Sequence, residues 1–376
     1  MKTFFIPIFG LLLTVLTPQN TPAQNLPRIK ISGKVVDAAT GKPLHYVNVF
    51  LANTTMGCAT NSKGQYAIEY VPLGAYELIV SMIGYEIKRQ DIQLTEPKDR
   101  EFDFRLRSEA IHAPGIQVTA TRIADWQSNL RKFKELLLGS SPNALQSKLL
   151  NPEVLDFEKD DTVNLFSAKA SQPLVIENKA LGYKIHLYLE SATCSDNILI
   201  RFLYTSRFEL LDPADEKEEK KWEKNREETY KGSFTHFLAA MASGQLEEEG
   251  FLIYKVPDPT KRDDRTKSSK IVIEDIVTPG KTVFERQLGF SDFLKVVYIF
   301  EDEPEGYKRQ VPSGGTTFVR NDQATQQMSW LKMNLPSTTF NMSGYMTNPY
   351  AVTKYGYWAW ERFADELPLD YIPTNQ

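Results

Sequence analysis

The chain has 376 residues, too many for one small core, and its 41% hydrophobic and 24% charged residues describe an ordinary globular protein. Twenty glycines and 21 prolines exclude a collagen-like or proline-rich architecture. Acidic residues number 48 and basic ones 44, a net charge of -4, so there is no electrostatic footprint for nucleic acid. After the N-terminal leader no apolar run reaches the roughly 18 residues of a membrane helix, and no transmembrane helix is expected.

Residues 1–23 read as a secretory signal peptide: Lys2 gives a sparse positive region, Phe4 to Leu16 an apolar one, and Thr21-Pro22-Ala23 a small-residue cleavage site before Gln24. No cysteine lies near that site, which closes the lipoprotein route. Export is expected. The two cysteines, Cys58 and Cys194, are too far apart for a C-x-x-C motif. An oxidising compartment permits one disulfide between them; their placement in different domains favours two isolated, mostly buried thiols.

From residue 26 to 107 short strands alternate with turns. Val47, Val49 and Leu51 alternate with Asn48 and Phe50; Tyr66, Ile68 and Tyr70 repeat the period of two, as do Tyr76, Leu78 and Val80. Phe102, Phe104 and Leu106 alternate with Asp103, Arg105 and Arg107, the mark of an edge strand with one solvated face. Asp37 to Pro43, Asn61 to Gly64 and Pro72 to Gly74 supply the turns. A β-sandwich is the economical packing of these strands. Asp37 and Asn48 are expected to bond to local backbone.

The ordered series Gly33-Lys34-Val35-Val36-Asp37, Thr40-Gly41-Lys42-Pro43-Leu44, Val47-Asn48-Val49, Gly57 with Thr60, Gly64-Gln65-Tyr66, Val71-Pro72-Leu73-Gly74 with Tyr76, and Ser81 to Tyr85 resembles the carboxypeptidase-like regulatory domain. The resemblance implies a transthyretin-like sandwich that serves as a non-catalytic accessory module in exported Gram-negative proteins, in the periplasm or at the outer membrane. It imports no zinc carboxypeptidase, because none of His45, His112, His186 and His236 has a Glu at the third place after it.

Residues 108–115, with Pro114 and Gly115, read as a linker. Ile116 to Arg122 resembles the first plug strand of TonB-dependent receptors, although too few residues follow for a plug and barrel. A helix is expected next, capped by Asp125, with Trp126, Leu130, Phe133 and Leu137 on one stripe and Gly139 at its end. Strand patterns follow at 163–170, 174–177, 182–190 and 197–210, then a charged, solvated helix over 212–231 and an amphipathic one carrying Phe234, Phe237, Leu238 and Met241. Strands return at 251–256, 271–277, 294–301 and 316–320. Residues 116–376 are therefore expected to form an α+β domain on a largely antiparallel sheet.

Catalytic motifs fail on inspection. Gly280-Lys281-Thr282 lacks the first glycine of a phosphate-binding loop and follows Pro279; Gly289 to Phe293 lacks the second glycine of a nucleophile elbow. His186 and His236 read as structural histidines, and Asp160-Asp161 and Asp263-Asp264 as solvated loop acids. No cofactor or metal is expected. The function this supports is a non-enzymatic envelope protein that binds a protein partner, glycan or outer-membrane component; the alternative is a hydrolase of an envelope polymer. Nothing in the sequence sets the oligomeric state.

The aromatic-rich segment from Asn348 to Pro373 supplies the candidate contacts Tyr355, Trp358 and Arg362. A helix from Tyr357 to about Glu366 would turn Trp360 inward and leave Trp358 and Arg362 together on an available face, ending at Leu367-Pro368.

Overall fold

The computed structural model describes residues 27–109, 120–196, 199–257, 268–310 and 325–373. The expected signal peptide, most of the expected linker, Asp263-Asp264 and the expected strand over 316–320 lie outside the described residues. Eight strands make the N-terminal sandwich: β1 (Arg28–Asp37), β2 (Asn48–Leu51), β3 (Gly57–Ala59), β4 (Gln65–Pro72), β5 (Gly74–Ser81), β6 (Lys88–Leu94), β7 (Arg100–Glu101) and β8 (Phe104–Leu106). β1 pairs antiparallel with β4 and parallel with β7 and β8, while the facing sheet runs β3-β2-β5-β6. The period-two alternation reaches the core except at Tyr70, which is 74% exposed because β4 bulges there at φ 60°. Ile31, Val35, Val49, Leu78, Val80 and Leu106 are fully enclosed between the sheets.

The rest of the chain is also built on antiparallel sheets, around two further cores. Helix α1 (Ala120–Leu138) precedes the strands β9 (Ser147–Leu149), β10 (Leu155–Asp160), β11 (Leu165–Ala170), β12 (Leu174–Asn178), β13 (Tyr183–Ser195) and β14 (Leu199–Leu210). These form one sheet in the order β10-β11-β13-β12-β9, with β14 on β13. Phe133 and Leu137 of α1 pack into its core, as the stripe predicts. Asp125 does not cap the helix, because the helical hydrogen-bonding already begins at Ala120. Gly139 ends it at φ +82°, a left-handed conformation that a side chain resists.

Next come α2 (Glu216–Tyr230) and α3 (Phe234–Ser243), then β15 (Phe251–Val256), β16 (Ser269–Lys270), β17 (Val277–Pro279), β18 (Glu285–Leu288), β19 (Phe293–Asp302), α4 (Glu305–Gln310), β20 (Gln326–Met333), β21 (Thr338–Asn341), β22 (Val352–Gly356) and the single turn α5 (Tyr357–Trp360). They form a β16-β15-β19-β20-β22 sheet and a small β17-β18-β21 sheet over the α3 core. Asp215 caps α2 by accepting from Glu218 N–H at 2.8 Å. The helix is not solvated all round: Trp222 is buried and donates to the Lys179 carbonyl, and Arg226 lies over the Tyr183 ring. The expected strand over 271–277 is mostly a short 3-10 turn, Ile273–Asp275, with pairing only from Val277.

The sandwich is clamped to β14. Asn53, at φ 60°, accepts from both the N–H and the hydroxyl of Ser206 at 2.9 Å, its own N–H donates to the Ser206 carbonyl, and Phe208 N–H donates to Thr54. Asn48 binds Arg207 at 2.7 Å, not local backbone, because the docked β14 brings a guanidinium to its side chain. Asp37 keeps the expected turn bonds to Ala39 and Thr40. On the outer face of β2 and β5, Phe50, Ala52 and Ile79 bury against Tyr188 of β13. Arg89 closes the seam, 2.7 Å from Glu190 and 2.8 Å from Thr205. Asn53→Ala is expected to cost roughly 1–3 kcal/mol by stranding buried donors and straining the left-handed backbone. Urea titration should show this as earlier release of the sandwich, and an unchanged curve would place the clamp elsewhere.

Candidate functional site

The sandwich, β14, α3 and the C-terminal segment enclose a cleft of about 2070 Å³. Cavities that hold drug-sized molecules run to about 1,000 Å³, so this one has room for an extended ligand. Tyr204, Tyr230, Phe234, Tyr345 and Tyr350 contribute ring surface to its walls. Burial raises the hydroxyls of Tyr230 and Tyr345 to about 12, which keeps them as hydrogen-bond donors at neutral pH.

The C-terminal segment crosses the cleft in a conformation that the helix expectation missed. After one turn, Glu361 returns to extended backbone at ψ 134°, and a 3-10 turn, Phe363–Asp365, follows. The reason is tertiary: Phe363 and Ala364 bury in the α1 core, whereas Trp358 buries in the α3 core, and a straight helix cannot enter both. Trp358 is only 2% exposed and its indole N–H donates to the Gly232 carbonyl at 2.7 Å, while Trp360 is half-buried at the edge of the same core against Tyr307 and Gln310. The two tryptophans are thus the reverse of the expectation. Tyr355 faces away from the cleft, against Phe293. Of Tyr355, Trp358 and Arg362, only Arg362 lines the cleft.

Sequence reasoning passed over the other polar groups beside it. Lys354, on β22, projects opposite to Tyr355 and lines the cleft with Glu361, Asp365 and Glu366. Lys354 reaches solvent, yet desolvation lowers its ammonium pKa, as expected of a side chain that opens onto an enclosed wet space. Burial, and then Asp365, push Glu361 well above the usual carboxylate range; burial also raises Asp365 and Glu366. Asp365 accepts from Ser141 at 2.7 Å and Asn143 at 3.0 Å, and Glu366 accepts from the Tyr204 hydroxyl. The signal in the sequence is six charged residues, Lys354, Glu361, Arg362, Asp365, Glu366 and Asp370, within the aromatic-rich segment.

His236 also borders the cleft, 3% exposed. Gly232 N–H donates to its Nδ1 at 3.2 Å, so the ring proton is on Nε2, 3.0 Å from Glu249. Burial lowers its pKa and favours this neutral form. Ser233 caps α3 by accepting from His236 N–H. His186 lies 3.4 Å from Glu209 on the β13–β14 ribbon. Gly280 to Thr282 is the turn between β17 and β18, and Asp160 holds the Thr162 N–H. Cys58 and Cys194 are free thiols. Among the described residues no group of three potential ligands could hold a metal, and no helix is long and apolar enough to cross a membrane.

Residues 31–118 match the CarboxypepD_reg-like domain family. The match covers the sandwich, and the sheets just described agree with its transthyretin-like fold. No curated protein matches the chain. Among solved structures, the chain is similar to 5-hydroxyisourate hydrolase of Klebsiella pneumoniae, at 18% identity over 22% of this chain and 92% of that one, TM-score 0.19. A cohesin–X-dockerin complex from Acetivibrio cellulolyticus aligns at 18% identity over 27% and 71%, TM-score 0.20. A pilus 2b backbone protein of group B streptococcus aligns at 14% over 22% and 42%, TM-score 0.19.

Two outcomes follow from the segment's geometry. Trp358→Ala should cost about 3–5 kcal/mol, and Trp360→Ala less than half of that; equal losses in thermal unfolding would contradict the placement. Glu361, with its folded pKa raised, keeps its proton where the unfolded chain has lost it, so its contribution is full at low pH and is lost as pH rises through the folded value. Glu361→Gln should therefore stabilise more at pH 8 than at pH 5 in urea unfolding. A gap that does not widen with pH argues against a desolvated carboxyl.

Proposed function

We propose that the chain is a non-enzymatic, exported cell-envelope protein that binds an extended envelope glycan in the cleft between the sandwich and the C-terminal half. The cleft itself carries the reading: it is too large for a small metabolite, it is walled by aromatic rings and polar groups, and both of its sides are fixed by the Asn53–Ser206 clamp. The aromatic rings suit the faces of sugar rings, which present apolar C–H groups between their hydroxyls. A base for hydrolysis finds no support at His236, whose two ring nitrogens are engaged by Gly232 and Glu249. The accessory-module character of the CarboxypepD_reg-like family fits export to the envelope.

Ala239 of α3 lines the cleft, and a tryptophan there would project an indole into it beside Phe234 and His236. The wild-type protein is expected to co-sediment with purified envelope polysaccharide, to release no new reducing ends, and to lose binding on Ala239→Trp. Release of reducing ends, stopped by the same substitution, would make the protein a hydrolase. Binding untouched by Ala239→Trp would move the ligand out of the cleft.

A further inference from the structure

At one end of the cleft the charges are unevenly paired. Asp365 accepts from Ser141, Asn143 and the Arg362 N–H, and Glu366 accepts from Tyr204. Glu361 is pushed toward its uncharged form. The cations are less closely held. Among the described residues, Lys354 Nζ lies 5.2 Å from the centre of the Phe234 ring and is attracted by Glu366, and then Glu361, without a close ion pair to either, and the Arg362 guanidinium makes no ion pair. Arginine stays charged at any pH a protein survives. An ammonium and a guanidinium left open in a partly desolvated space favour an incoming oxyanion, since charge-assisted bonds are the strong ones and low dielectric strengthens them.

We propose that Lys354 and Arg362 form a subsite for an oxyanion carried by a sugar chain bound in the cleft. This rests on the cleft being the ligand site. The oxyanion is a carboxylate of a uronic acid or a phosphate on the sugar. A peptide is the poorer occupant, because the outer edge of β14, where an added strand would pair, is already taken at Ser206 to Phe208 by Asn53 and Thr54.

Two matched pairs of probes test the subsite on the full mature chain: trigalacturonate against galactotriose, and galactose 6-phosphate against galactose, with a hexaglutamate peptide as a third arm. Calorimetry, or saturation-transfer NMR for the monosaccharides, should show at least one acidic sugar bound at least tenfold more tightly than its neutral partner. The preferred pair identifies the anion. Lys354→Met and Arg362→Gln should each remove the preference, and Lys354→Arg should retain it. Thermal unfolding of each variant separates loss of the subsite from loss of the fold. Equal affinity for acidic and neutral sugars, a preference that survives Lys354→Met, or tighter binding of hexaglutamate overturns the subsite. So does failure of both acidic sugars to bind, while the cleft reading stands or falls separately with Ala239→Trp.

Discussion

The C-terminal segment from Asn348 to Pro373 is the constraint on which the rest of the molecule depends, because it enters all three hydrophobic cores or their seams in turn. Trp358 closes the α3 core, with its indole bonded to Gly232; six residues later Ala364 lies in the α1 core and its carbonyl accepts from Asn178, a fully enclosed amide. Leu369 N–H then donates to Asn53, and Asp370 accepts from Thr55 N–H at 2.9 Å, both on the sandwich. Each contact alone is an ordinary one of order 1 kcal/mol or a buried side chain of a few. Placed in series on one chain, they couple three bodies that otherwise meet along modest seams. Movement of any body must stretch the segment or break one of its anchors.

The same routing explains what could be read in the sequence and what could not. Period-two alternation found the sandwich, because each of its strands buries one face within its own module, and the turn residues from Asp37 to Pro43 act locally. Local caps were equally legible where the partner is three residues away, as at Ser233. Phe50 was a visible anomaly: an apolar residue on the face opposite Val49 has no use for solvent, and its explanation is Tyr188, far along the chain. Asn48 had the same kind of distant answer in Arg207. For Tyr357 to Glu366 the helical period was assumed to continue, and that assumption exchanged the roles of Trp358 and Trp360. Helical propensity over ten residues is worth little against burial of Trp358 and Phe363 in separate cores.

The departure from helix also makes the cleft chemistry. In a continuous helix Glu361 and Arg362 would point along divergent faces set by a 100° step, and Glu366 would lie more than a turn away. The extended residue Glu361 and the tight Phe363–Asp365 turn bring a guanidinium and three carboxyl groups to one wall, facing Lys354 from β22. So dense a set of ionisable groups inside a fold is costly unless each is solvated, bonded or uncharged. Asp365 and Glu366 are bonded, Glu361 is driven toward the uncharged state, and Lys354 lies over the Phe234 ring within the attraction of Glu366 and Glu361. An arrangement serving stability alone would pair Lys354 and Arg362 closely with the adjacent acids; here the acids are bonded to Ser141, Asn143 and Tyr204 or driven toward the uncharged state, and the cations have no close ion pair.

On the proposed reading, rigidity is what would give those cations selective value. A cleft between hinged domains must lose conformational entropy when a ligand closes it, and part of the interaction energy goes to that ordering. Here the opposing walls are held before any ligand arrives: Asn53 and Thr54 extend the hydrogen bonding of β14 into the sandwich, Arg89 links Glu190 to Glu77, and the C-terminal segment ties both to the floor. Phe234 beside Lys354 and Tyr204 beside Glu366 are thereby held on a preformed wall. On the proposed reading, shape would select the sugar chain and charge its decoration, with neither depending on a domain movement.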